Sequence, residues 1–145
     1  MSDTHTGFSQ AERDAMKQRA AELKAMKGVK GSAKKAKDLE ACLAAIEELS
    51  GTDRIIAERL HMIVSEEAPK LDAKTWYGFP TYAKDGKNVV FFQPATKFGA
   101  RYGTVGFEEF AALDEGEIWP VAYAVIKMTA AAETQLRALV KRAVT

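Results

Sequence analysis

Trp76 and Trp119 are the residues best suited to hold a small molecule. Each is a large flat ring near a proline that ends or bends a strand, Pro80 and Pro120. Tyr77, Phe91 and Phe92 add aromatic wall, while Lys97 and Asp114 supply one cationic and one anionic anchor. Apolar walls with a few fixed polar groups are what a small-ligand pocket needs. The competing reading, preferred on residue type alone, makes these rings core and strand-packing aromatics, whose buried area dominates small domains. The ligand-binding candidates are Trp76, Tyr77, Lys97, Asp114 and Trp119.

Asp114, Glu115 and Glu117 carry carboxylates able to hold a hard cation or to exchange protons. A solvated turn explains them more cheaply, because Asp bonds readily to its own backbone. Glu40 and Glu47 share a helical face, and Glu48, Asp53 and Glu58 enlarge that acidic surface, although ordinary solvated helix faces look the same. Nucleophilic catalysis finds little support: Cys42, the only cysteine, falls on an apolar helix face, and His61 has no evident partner. No catalytic residue is assigned. Cys42, His5 and His61 do not make a zinc site, which wants three or four ligands brought together. The glycines of Lys97-Phe98-Gly99 and Gly103 to Gly106 match neither the phosphate loop nor the dinucleotide fingerprint.

The elements that must position these residues follow from hydrophobic period and turn chemistry. Ser9-Gln10-Ala11-Glu12 has capping-box spacing and predicts a helix start, with Met16, Ala20 and Leu23 as a narrow stripe. Lys27 to Lys37 holds five lysines with Gly28, Gly31 and Ser32, and reads as a mobile, solvated linker. Leu39, Cys42, Leu43, Ile46 and Leu49 predict an amphipathic helix, ended by Ser50-Gly51. Thr52-Asp53 can cap the next, whose face is Ile56, Leu60, Ile63 and Val64 and which Pro69 stops.

Beyond Pro69 the texture becomes short apolar runs broken by turn residues, as strands require. Trp76 to Pro80 reads as a strand end, an edge or a bulge. Asp85-Gly86 tolerates the positive φ of a type I′ hairpin. Val89-Val90-Phe91-Phe92 reads as a central strand closed by Pro94. An extended stretch from Arg101 to Val105 leads to a short helix from Phe107 to Leu113, and a last strand alternates from Val121 to Ile126. Thr129 caps a terminal helix with Leu136, Leu139, Val140, Ala143 and Val144 on one face. The order predicts an α+β fold, a small antiparallel sheet flanked by N-terminal and C-terminal helices.

Trp76-Tyr77-Gly78-Phe79-Pro80, Tyr82, Gly86-Lys87, Phe91-Phe92, Lys97, Tyr102, Gly106-Phe107, Leu113-Asp114-Glu115-Gly116 and Trp119-Pro120, in this order and spacing, resemble the YdhG-like domain family. The resemblance covers roughly residues 38 to 145, leaving residues 1 to 37 as a basic helix-and-linker addition. It implies a helix-flanked sheet similar to the frataxin fold. Some bacterial relatives are associated with iron delivery, so iron becomes a candidate cargo. The fold does not carry the function by itself.

A chain of 145 residues, 47% hydrophobic, supports one core. Residues 1 to 37 carry 9 Lys/Arg against 4 Asp/Glu, a net of +5, while residues 38 to 145 carry 12 against 16, a net of −4. Contact with nucleic acid or an acidic partner through Lys27 to Lys37 is one reading, weakened by the lack of stacking aromatics there. No run approaches the roughly 18 apolar residues of a membrane span, and the first residues lack the pattern of a secretory signal. The expectation is a soluble cytoplasmic binding or delivery protein, with a small-molecule binder or enzyme at the Trp76 and Trp119 aromatics as the alternative.

Overall fold

A computed structural model of the chain describes residues 9–25, 27, 28 and 30–145; His5 lies outside them. Helix α1 spans Gln10–Ala25. Its capping box closes as the spacing requires: the Ser9 N–H donates to Glu12 Oε1 at 2.8 Å and the Glu12 N–H to Ser9 Oγ at 3.1 Å. The face turned to the body is not the expected one. Met16 and Leu23 point to solvent, and Ala15 is buried with Ala11, Arg19 and Glu22 half-buried beside it. The reason is what α1 packs on: a tight backbone turn whose Gly78 N–H donates to Glu22 Oε2 at 2.9 Å. Such a surface favours small and polar residues over Met and Leu.

Helix α2 spans Gly31–Glu47, so the lysine-rich segment read as a linker is helical from Gly31, and residue 37 falls inside a continuous helix. Lys34 Nζ pairs with Asp38 Oδ2 at 2.6 Å one turn on, and Lys35 Nζ reaches Asp72 at 3.8 Å. Acidic partners beyond the segment thus offset the repulsion that suggested an unstructured chain. Cys42 and Ile46 are its buried face; Leu39 and Leu43 are exposed. Helix α3, Gly51–Glu67, buries Ile56, Leu60, Ile63 and Val64 as the spacing predicts and ends before Pro69.

Five strands follow: β1 Asp72–Trp76, β2 Phe79–Lys84, β3 Lys87–Gln93, β4 Gly103–Phe107 and β5 Ala122–Val125. They form one antiparallel meander in the order β1-β2-β3-β4-β5, so β3 is central as expected. Asp85 (φ 51°) and Gly86 (φ 80°) make the type I′ turn between β2 and β3. Trp76 to Pro80 is more than a strand end. Tyr77 (φ 54°) and Gly78 (φ 84°) form a second two-residue turn, with Trp76 directly opposite Phe79. Pro80 pairs only with Thr75 of β1, because pairing of β2 with β3 begins at Thr81, so its missing N–H breaks no ladder there.

The helix expected from Phe107 to Leu113 does not form. The Phe107 N–H donates to Val121 O at 2.7 Å and the Glu108 N–H to Val89 O at 3.0 Å, which ties this stretch to the sheet. Helix α4, Ala130–Ala143, starts at Thr129, whose Oγ1 accepts the Ala132 N–H at 3.1 Å. Helices α2, α3 and α4 cover one sheet face: Cys42, Ile46, Ile56, Leu60, Ile63, Leu136 and Val140 pack on Tyr82, Val90, Phe92, Val105 and Phe107. The fold is α+β. Among the described residues no helix is long and apolar enough to cross a membrane.

Candidate functional site

The register fixes what lies on the other sheet face. Trp76 opposes Phe79, and Thr81, Phe91, Gly106 and Ala122 follow one another across β2 to β5. Side chains on this face alternate with the core residues along the strands, except at the register shift by Tyr82 and Ala83, where Val89 and Val90 both join the core. Trp76, Phe79 and Phe91 form a ring cluster here. The Trp76 centroid is 5.7 Å from Phe91 and 6.2 Å from Phe79, and Phe79 and Phe91 are 5.9 Å apart. Tyr77, at the turn, adds a ring 5.1 Å from Trp76, and Phe98 one 5.6 Å from Phe79, both edge to face. Phe79 is buried, and Trp76, Tyr77, Phe91 and Phe98 are half-buried. None of them belongs to the main core cluster.

Two backbone devices hold the patch. The tip of the Phe91 ring lies against Gly106, where a β carbon would overlap it, so glycine is needed for this close approach. Tyr77 occupies the left-handed region that a bulky residue rarely adopts. That conformation costs of order 1 kcal/mol and is characteristic of places where a side chain must be held in position. Lys97 belongs to a 3-10 turn, Thr96–Phe98, and its Nζ lies against Gly78. The turn is anchored by Asp53 of α3, 6% exposed, whose carboxylate oxygens accept the Ala95 and Thr96 N–H groups, each at 3.0 Å. Asp53 therefore caps a distant turn rather than its own helix.

The expected single pocket is two separate places. Trp76, Tyr77 and Lys97 gather at the β1–β2 turn. Trp119 precedes β5, at the opposite edge of the sheet, about 19 Å away by strand spacing. It packs half-buried against the core and, with Asp114, lines an open groove of about 540 Å³. The ionisable groups lining that groove are all acidic, namely Glu108, Glu109, Asp114 and Glu117. Phe92 is fully buried on the core face and belongs to neither place.

A polar chain escaped the sequence reading. Buried Tyr82 meets His61 Nδ1 at 3.0 Å through its hydroxyl, which also receives the Cys42 thiol at 4.0 Å. His61 lies on the wall of a groove of about 430 Å³. Burial lowers the His61 pKa, so the ring stays neutral, and pushes the Cys42 thiol up to about 11, which keeps it protonated and a poor nucleophile. Sequence separations of 21 and 40 residues left no local signal for these contacts.

The acidic residues of the helices do not gather. Asp53 is engaged by the 3-10 turn and Glu58 pairs with Arg54 at 3.0 Å. Among the described residues no three His, Cys, Asp or Glu side chains stand together as metal ligands. Comparison with family models, with curated proteins and with solved structures returned no match for this chain.

Proposed function

We propose that this chain is a non-catalytic binding protein that takes a planar ligand on the patch formed by Trp76, Tyr77, Phe91 and Phe98. The observation that supports this reading is an aromatic cluster outside the core, half-exposed on the face away from α2, α3 and α4. A half-exposed cluster of rings presents π-surface on which a flat molecule can stack, and Lys97 beside it offers a cation for a polar substituent. The absence of an activated nucleophile at Cys42 and the satisfied His61 favour binding over catalysis.

On the resemblance carried by Trp76 to Pro80 and Leu113 to Pro120 we also propose a YdhG-like or frataxin-like fold, iron as a second cargo and a cytoplasmic location. The planar-ligand reading is tested by mapping amide shifts during titration with quinoline, adenosine and lumichrome as probes. Shifts converging on Thr75 to Phe79, Phe91 and Phe98 support it. Shifts confined to the Trp119 groove, or none that saturate, remove it.

A further inference from the structure

Burial opposes the charge of half-buried Lys74, and Arg19 and Lys34 nearby oppose it further, while Asp38 and Glu22 partly offset them. Lys74 stands on edge strand β1 in a cleft of about 310 Å³ between α1 and α2. Arg19 from α1 and Lys34 from α2 line the same cleft, together with the carboxylates of Glu22 and Asp38. Both carboxylates are already engaged. Glu22 holds Arg19 Nη1 at 3.3 Å through one oxygen and the Gly78 N–H at 2.9 Å through the other, and Asp38 holds Lys34 Nζ at 2.6 Å. Among the described residues the Lys74 ammonium meets no hydrogen-bond acceptor and no carboxylate within 4.0 Å. The cleft thus gathers three cations against two carboxylates, and the half-buried ammonium of Lys74 has no partner among the described residues.

Half-burial disfavours the Lys74 charge, and an anion beside it would offset that. We propose that this cleft is an anion-binding site that takes a phosphate group, with Lys74 as its central donor and Arg19 and Lys34 at its rim. Phosphate suits a cleft lined by cations from separate elements, because its oxygens accept from several directions at once and can share donors with the carboxylates already there. The site is independent of the aromatic patch. The two adjoin, since Lys74 and Trp76 lie two residues apart on one face of β1, about 6.6 Å by strand rise. A phosphate ester of a planar ring could therefore reach both.

The test is a calorimetric and thermal-unfolding titration of the full chain with inorganic phosphate and, separately, phenyl phosphate, at ionic strength matched with sodium chloride. Saturable binding of either is expected, and tighter binding of phenyl phosphate would assign the monoester as the natural form. Lys74→Met should weaken phosphate binding by about tenfold or more, the scale of one charge-assisted hydrogen bond. In phosphate-free buffer the same variant should be at least as stable as the parent, because a half-buried charge has been removed. Lys34→Gln, at an exposed position, should fold normally and weaken phosphate severalfold. Absence of phosphate binding beyond the chloride control would overturn the proposal. So would unchanged binding in both variants, or a destabilised Lys74→Met protein in phosphate-free buffer.

Discussion

Replacing Asp53 separates two accounts of what this carboxylate does. As an ordinary helix cap, its loss to alanine would cost about 1 kcal/mol. In the structure it is a buried anion accepting two backbone N–H groups at 3.0 Å, from Ala95 and Thr96, in a turn 42 residues away. A hydrogen bond to a charged group contributes about 1.5–3 kcal/mol, so two would approach roughly twice that. Thr96 is exposed, so water can partly replace one bond, which brings the expected loss for Asp53→Ala to about 2–4 kcal/mol. With a urea slope near 2 kcal/mol/M, the unfolding midpoint should fall by about 1–2 M. Asp53→Asn keeps one acceptor but turns an amide N–H₂ toward the other donor, so it should lose about half as much. Equilibrium urea unfolding read by far-ultraviolet circular dichroism measures all three proteins. A midpoint shift of about 0.5 M or less for Asp53→Ala would mean the anchoring role is wrong.

Gly106→Ala should cost about 1–3 kcal/mol, because its methyl group meets the Phe91 ring; combining it with Phe91→Ala should cost less than the two single changes added, as a double-mutant cycle will show. Tyr82→Phe removes the hydroxyl that meets His61 and should lower stability by about 1–2 kcal/mol in the same urea assay. Burial lowers the folded-state pKa of His61 below 6.5, so on acidification the unfolded chain takes up this proton first. Its contribution is therefore complete above pH 6.5 and is lost as pH falls through 6.5 toward the lower folded value. His61→Gln should flatten that part of the stability profile, measured as unfolding midpoints from pH 7.5 to 5.

The elements with local chemistry were legible from sequence. Ser9 and Glu12, Thr129, and Asp85-Gly86 each act within four residues of themselves, and α3 declares its face through Ile56, Leu60, Ile63 and Val64. What was hidden depends on partners far along the chain. Asp72-Ala73-Lys74-Thr75 has little strand character of its own and becomes β1 because β2 pairs with it. The lysines of α2 find Asp38 and Asp72, which a reading of local charge density does not weigh. Phe107 shows helical spacing with Phe110 and Ala111, yet its N–H is taken by Val121. The aromatic residues of the candidate site were visible as a set. Their division between two sheet edges was not, because only strand order separates Trp76 from Trp119.

The proposed function puts binding on the patch around Trp76 and not in the groove beside Trp119. Trp76 and Trp119 are the only tryptophans of the chain, so Trp119→Phe leaves Trp76 as a single fluorescent reporter inside the proposed site. Titrating that protein with quinoline, adenosine and lumichrome should give, for at least one probe, a saturable change in Trp76 emission that Phe91→Ala abolishes. A flat response to all three, alongside a saturable response of Trp119 in the Trp76→Phe protein, would contradict it.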